Sequence, residues 1–147
     1  MHIKIYENRS DVTSVVHAHP LHATAFAICH KPLDKQIMPE ATISLGIVPV
    51  AEYGAPSTTA LPDSLVPYFK DYDTVLLANH GAVSYSDSLL SAYFKMEALE
   101  FYAKLIFLSQ LIGGTKELSN DQVKELLNLR TNTYKCTGNH PGDKCLK

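Results

Sequence analysis

Two short runs carry the residue types that could do chemistry: His17-Ala18-His19, at the end of the β-branched stretch Ser14-Val15-Val16, and Asn79-His80-Gly81, closing Thr74-Val75-Leu76-Leu77-Ala78. In an extended segment side chains alternate between faces, so His17 and His19 point the same way, roughly 6 to 7 Å apart. Two imidazoles so placed can grip one divalent ion, and His80 can join them only through the fold. Three neutral imidazoles with an open position form the pattern of a catalytic zinc site rather than a closed structural one. Gly81 allows a tight turn out of a buried strand, leaving His80 at the carboxyl edge where open α/β sheets place their ligands. The competing reading is three ordinary surface or hydrogen-bonded core histidines. Spacing alone leaves both open.

The elements that must position these residues follow from periodicity. Met1–Asn8 reads as the end of a helix with Ile3 and Tyr6 on one side, and Thr13–His19 as a buried strand. Leu21–Cys29 is rich in alanine and predicts a short helix, ended by Lys31-Pro32. Pro39–Leu45 is ambiguous between helix and extended structure, and Ile47–Ala51 is a strand. Ala60–Lys70 predicts a helix with Pro62 in its first turn. Thr74–Asn79 and Ala82–Tyr85 form short strands around the His80-Gly81 turn. A long helix begins after Asp87 or Ser88, runs to about Ile112 and is stopped by Gly113-Gly114. Its expected buried stripe is Leu89, Tyr93, Met96, Leu99, Ala103 and Ile106, with Lys95 exposed and Glu100 paired to Lys104 outside. Ser119 and Gln122 offer a capping box for a helix to Leu129. Residues 1–130 thus form the domain. Residues 131–147 are polar and turn-rich and are expected to be a mobile tail, with Cys136, His140 and Cys145 solvated for want of a fourth metal ligand.

The segment Ile5–Pro20, the segment Val75–Ala82 and the run Val48-Pro49-Val50-Ala51-Glu52-Tyr53-Gly54 between them resemble the class II aldolase/adducin family, most of all its L-fuculose-phosphate aldolases. The resemblance extends from Met1 to about Gly114. It implies an α/β fold: a layered α/β/α domain with a central, largely antiparallel or mixed sheet. It also implies that His17, His19 and His80 are ligands of Zn2+. The implied activity is reversible cleavage of L-fuculose 1-phosphate to dihydroxyacetone phosphate and L-lactaldehyde through a metal-stabilised enediolate. No lysine Schiff base is needed. Asn79 reads as a strand-end turn residue rather than a site group.

Competent members of the family carry an acid/base glutamate and a phosphate-binding region upstream of the point corresponding to Met1. The chain is therefore expected to be the C-terminal part of such an enzyme, binding zinc but turning over at least roughly a thousandfold more slowly than with those groups restored. Glu7 lies on the wrong side of the motif to inherit the glutamate's role. Relatives also bring an aromatic residue over the site from a neighbouring subunit or the tail, which makes Tyr134 the candidate catalytic residue here. A sugar phosphate substrate and a homotetramer are the implied partners. An epimerase or dehydratase of the same family, a non-catalytic adducin-like domain and an inactive truncated product are the alternatives.

Bulk composition bounds the reading. The chain has 147 residues, 46% hydrophobic and 19% charged, as expected of one globular domain. A net charge of −2 makes no electrostatic case for nucleic acid or an anionic membrane. No run approaches the length of a membrane span, and the N-terminus is not a signal peptide. Cys29, Cys136 and Cys145 are odd in number and lack Cys-x-x-Cys spacing, which suits free thiols in a reducing cytoplasm.

Overall fold

The computed structural model describes residues 1–147. Its centre is a four-stranded mixed sheet in the order β1-β4-β3-β2, where β1 is Ser14–Ala18, β2 Val50–Ala51, β3 Thr74–Leu77 and β4 Gly81–Ser86. β4 runs antiparallel to both β1 and β3, with Ala18 opposite Ala82 and Leu77 opposite Gly81, while β2 runs parallel to β3. Every residue of β3 and β4 is buried.

Strand alternation divides the core in two. Leu76 and Ala82 face one side, where they pack with α2 (Leu21–Ile28), α3 (Pro39–Ser44) and α5 (Leu89–Leu111) through Ala23, Ala41, Leu99 and Ala103. Val75, Leu77, Val83 and Tyr85 face the other side, against α1 (His2–Asn8) and α4 (Ala60–Ser64) through Ile5, Leu61 and Leu65. The expected α/β/α layering is therefore present, and the sheet is mixed.

Several expectations need correction. α1 buries Ile5 and leaves Ile3 and Tyr6 exposed. The helix expected over 60–70 ends at Ser64, and a 3-10 turn, Val66–Tyr68, follows, because Pro67 has no N–H to donate and restricts the residue before it. Val48 leaves the β2 ladder and bridges to Leu33 instead.

α5 begins at the Ser88 cap, whose side chain accepts from the Ser91 N–H, and ends before Gly113 and Gly114, both at positive φ. Its buried face is Ala92, Met96, Leu99, Tyr102, Ala103 and Ile106. Leu89 and Tyr93 are rotated off this face into solvent. Lys95 is not exposed: its ammonium lies 2.7 Å from Asp73. Glu100 turns from Lys104 to α2, accepting hydrogen bonds from the backbone N–H groups of His22 and Ala23 and pairing with the His22 ring. α6 (Asn120–Asn128) carries the expected capping box.

The segment expected as a mobile tail folds back onto the domain. Arg130 donates to the carbonyls of Ile43, Thr137 and Gly138. Asn139 donates to Asp73 and to the Phe69 and Lys70 carbonyls. Cys145 is buried. The polar composition of this stretch serves internal hydrogen bonds to backbone carbonyls, which no hydrophobic period could reveal.

His140 is held neutral within that anchor. Its Nε2 donates to the Thr42 carbonyl at 2.8 Å, and its Nδ1 accepts from the Gly142 N–H at 3.0 Å. Burial first, then the nearby Arg130 charge, push its pKa down to about 4. The unfolded chain takes up this proton near pH 6.5 while the folded chain resists it, so stability is lost as pH falls from 6.5 toward 4. Urea unfolding over that range should show a loss on the order of 1–2 kcal/mol in the parent that His140→Gln lacks. Identical pH slopes in the two proteins would contradict the buried neutral imidazole.

Candidate metal centre

The three histidines meet at one corner of the sheet. His17 lies on β1, His19 just beyond its end, and His80 in the turn between β3 and β4. The antiparallel register sets Ala18 opposite Ala82, so the exit of β1 and the turn into β4 are adjacent by construction. Ring centroids are 4.9 Å apart for His17–His19, 4.8 Å for His17–His80 and 5.0 Å for His19–His80. One ligand atom from each ring lies within 4.8 Å of the others.

The turn that delivers His80 is specific. Asn79 sits at φ 55°, the left-handed conformation that asparagine tolerates better than most residues. Its N–H donates to Ala27, and its side-chain oxygen pairs with the His30 ring at 2.6 Å. Asn79 thus shapes the turn, as its position suggested. Gly81 follows, and a Cβ there would stand 2.6 Å from the Ala18 carbonyl and 2.7 Å from the His19 ring. Only glycine lets β4 pass so close to the His19 ring. Gly81→Ala should force His19 aside and weaken zinc binding about tenfold while the far-UV spectrum stays native. Unchanged affinity by competitive chelator titration would show that the close approach is incidental.

Protonation favours ligation. His17 Nδ1 lies 2.8 Å from the Ala82 carbonyl, which can only accept, so the proton sits on Nδ1 and the Nε2 lone pair is free. A carbonyl that orients a histidine in this way is the usual support behind a metal ligand. Burial, followed by repulsion from His17 and His19 when these are protonated, lowers the pKa of His80. His80 Nδ1 is buried without any hydrogen-bond partner. A buried, unpartnered nitrogen beside two further imidazoles fits a divalent metal ion.

Glu100 is a supporting residue that sequence reasoning missed. By accepting the first N–H groups of α2 it fixes the helix that leaves directly from His19-Pro20. In the sequence its i, i+4 relation to Lys104 looked like an ordinary surface pair. Tyr134 is 61% exposed. Its segment is anchored by Arg130 to Ile43 and Gly138, and Gly138 abuts Asp73, which precedes β3 at the end opposite His80. The structure therefore brings the three histidines together, while Tyr134 lies on the exposed surface of the C-terminal segment. Cys136, His140 and Cys145 do not converge.

A layered mixed sheet with a three-imidazole corner defines a class before it defines a protein. Residues 1–107 match the class II aldolase and adducin N-terminal domain, and the chain belongs to that family. Among its relatives, an L-fuculose phosphate aldolase of Methanococcus maripaludis is 31% identical over 77% of this chain and 61% of its own length. A 3-oxo-tetronate 4-phosphate decarboxylase of Pectobacterium atrosepticum is 36% identical over 85% of this chain and 59% of its own. A solved L-fuculose 1-phosphate aldolase superposes with a TM-score of 0.77 at 28% identity, covering 92% of this chain and 61% of that one. The chain spans about six-tenths of the length of these relatives.

Proposed function

We propose that His17, His19 and His80 hold Zn2+, and that the chain supplies this centre to a class II lyase acting on a sugar phosphate. Our preferred substrate is L-fuculose 1-phosphate, cleaved reversibly to dihydroxyacetone phosphate and L-lactaldehyde. The observation that carries the reading is the unpartnered His80 nitrogen beside two more imidazoles in a chain of this family. The corresponding setting is a cytoplasmic homo-oligomer with free thiols, and no helix of the chain is long and apolar enough to cross a membrane.

In the cleavage, the substrate's C4 hydroxyl gives up its proton as the C3–C4 bond breaks. The aldehyde leaves, and the electron pair remains as the enediolate of dihydroxyacetone phosphate, which is then protonated at C3. When bound, zinc supplies the Lewis acid that stabilises this negative charge. The chain's own residues prepare for it. The Ala82 carbonyl fixes the His17 tautomer, Gly81 admits the His19 ring, and burial disfavours the protonated form of His80. The cluster consists of imidazoles alone, so the proton is moved by a group outside it. We assign that role to Tyr134, reaching over the centre from a neighbouring subunit.

The likeness to a decarboxylase favours a second reading. In a 3-oxo-tetronate 4-phosphate the carboxylate is β to the ketone, so loss of carbon dioxide leaves the same dihydroxyacetone phosphate enediolate. The centre serves either reaction, and the leaving group distinguishes them. Coupled detection of dihydroxyacetone phosphate from each substrate, with zinc and with chelator, tests the proposal. Zinc-dependent release accompanied by L-lactaldehyde is expected for the aldolase; release only with carbon dioxide would select the decarboxylase. No zinc-dependent turnover of either would overturn the lyase reading.

A further inference from the structure

Arg130 carries a buried positive charge with no negative partner. The residue is 8% exposed, and none of the chain's ion pairs includes it. Its guanidinium reaches only carbonyl oxygens: Nη1 donates to Ile43, and Nη2 to Thr137 and Gly138. A guanidinium offers five N–H groups, so the Nε–H and the second Nη1–H have no acceptor in the chain. A buried charge is costly unless it is paired, and carbonyl dipoles do not neutralise it.

This side chain lines a polar cavity of about 500 Å³ between the end of α6 and the C-terminal loop. Lys70, Thr131, Asn139 and Asp143 share the wall. Lys70 is exposed and, like Arg130, enters no ion pair. Asp143, also exposed, is the only carboxylate on the wall, so two cations face one anion. His140 adds no charge, since its two ring nitrogens are committed to Thr42 and Gly142. Asn139 donates through Nδ2 to the Phe69 and Lys70 carbonyls, which leaves its Oδ1 without a donor. The backbone is unusual here as well. Leu129–Thr133 is a π-helical turn, a conformation frequent at functional sites.

We propose that this cavity binds a small phosphorylated molecule, its phosphate held between Arg130 Nε and Lys70 Nζ. A second negative charge is what two cations favour, and arginine is the side chain best suited to phosphate. The cavity is larger than one phosphate ion needs, and Asn139 Oδ1 can accept from a hydroxyl on the remainder of the ligand. Lys70 lies before β3 and Arg130 after α6, so a phosphate between them braces the C-terminal segment against the domain. The site is separate from the histidine corner: Gly138 abuts Asp73 ahead of β3, whereas His80 follows that strand. It stands or falls independently of the lyase reading.

Nuclear magnetic resonance of the isotope-labelled chain, titrated with inorganic phosphate at constant ionic strength, tests the site. The Arg130 Nε resonance and the amides of Thr131, Gly138 and Gly142 should shift to saturation, with zinc and without it. Lys70→Glu should weaken binding at least about tenfold, and Asp143→Asn should strengthen it about threefold, because each changes the charge facing the anion. Both positions are exposed, so both variants should keep the fold. Acetate, with a single negative charge, should bind at least about tenfold more weakly than phosphate, and glycerol 3-phosphate at least as tightly. No saturable shift at Arg130, affinity indifferent to Lys70→Glu or to Asp143→Asn, equal binding of acetate, or rejection of glycerol 3-phosphate would overturn the proposal.

Discussion

His80→Ala should lower the zinc affinity of the chain by at least about 100-fold while leaving its secondary structure intact. The remaining pair, His17 and His19, is a two-point chelate of an ion that prefers four ligands, and removing even a supporting partner behind a ligand typically costs 10- to 100-fold. The turn carrying His80 is held by its own backbone bonds, His80 N–H to Leu77 and Asn79 N–H to Ala27, neither of which involves the imidazole. The substitution therefore removes a ligand without removing the turn. Zinc titration against a chromophoric chelator reads the loss. Equal affinity in His80→Ala and the parent would remove His80 from the site.

The second large effect is expected at Asp73, which ties three parts of the chain together. Its carboxylate is 3% exposed; Oδ2 lies 2.7 Å from the Lys95 ammonium and accepts from the Asn139 N–H at 2.9 Å. Oδ1 lies 2.9 Å from Arg9, an ion pair without hydrogen-bond alignment. Arg9 is itself 7% exposed and keeps a second partner in Asp11. Asp73→Ala would leave the Lys95 and Arg9 charges in a largely dry setting, and breaking one side of such a cluster costs about 3 kcal/mol or more. The urea midpoint should fall accordingly, and the amide of Asn139 should lose hydrogen-exchange protection. Lys124→Ala, at the exposed Lys124–Asp121 pair, should leave the midpoint unmoved. Equal midpoints for the two variants would mean that the Asp73 cluster is no anchor.

The candidate site was far more legible than the packing around it. Histidines two apart on a strand declare a shared face, and an Asn-His-Gly after a buried run declares a turn at the sheet's edge; both signals are local. What the Ala82 carbonyl does for His17, and what Glu100 does for α2, depends on residues 65 and 78 positions distant. No local pattern encodes such contacts. The long helix shows the same limit. Met96, Leu99, Ala103 and Ile106 were readable as its buried face. Leu89 and Tyr93 fit the same spacing loosely and proved exposed, because whether an apolar residue is covered depends on what lies opposite it. Lys95 misled for the converse reason, since its partner Asp73 lies in a different element. The segment after Thr131 misled through composition: its polar side chains satisfy internal carbonyls rather than water.

The most direct test of the zinc centre is X-ray absorption at the zinc edge on the chain loaded with one equivalent of metal. The geometry predicts about three imidazole nitrogens at roughly 2.0–2.1 Å, the remaining position filled by oxygen, with one nitrogen lost in His80→Ala. Sulfur at about 2.3 Å, from Cys29, Cys136 or Cys145, or a first shell of oxygen alone, would contradict the three-histidine assignment.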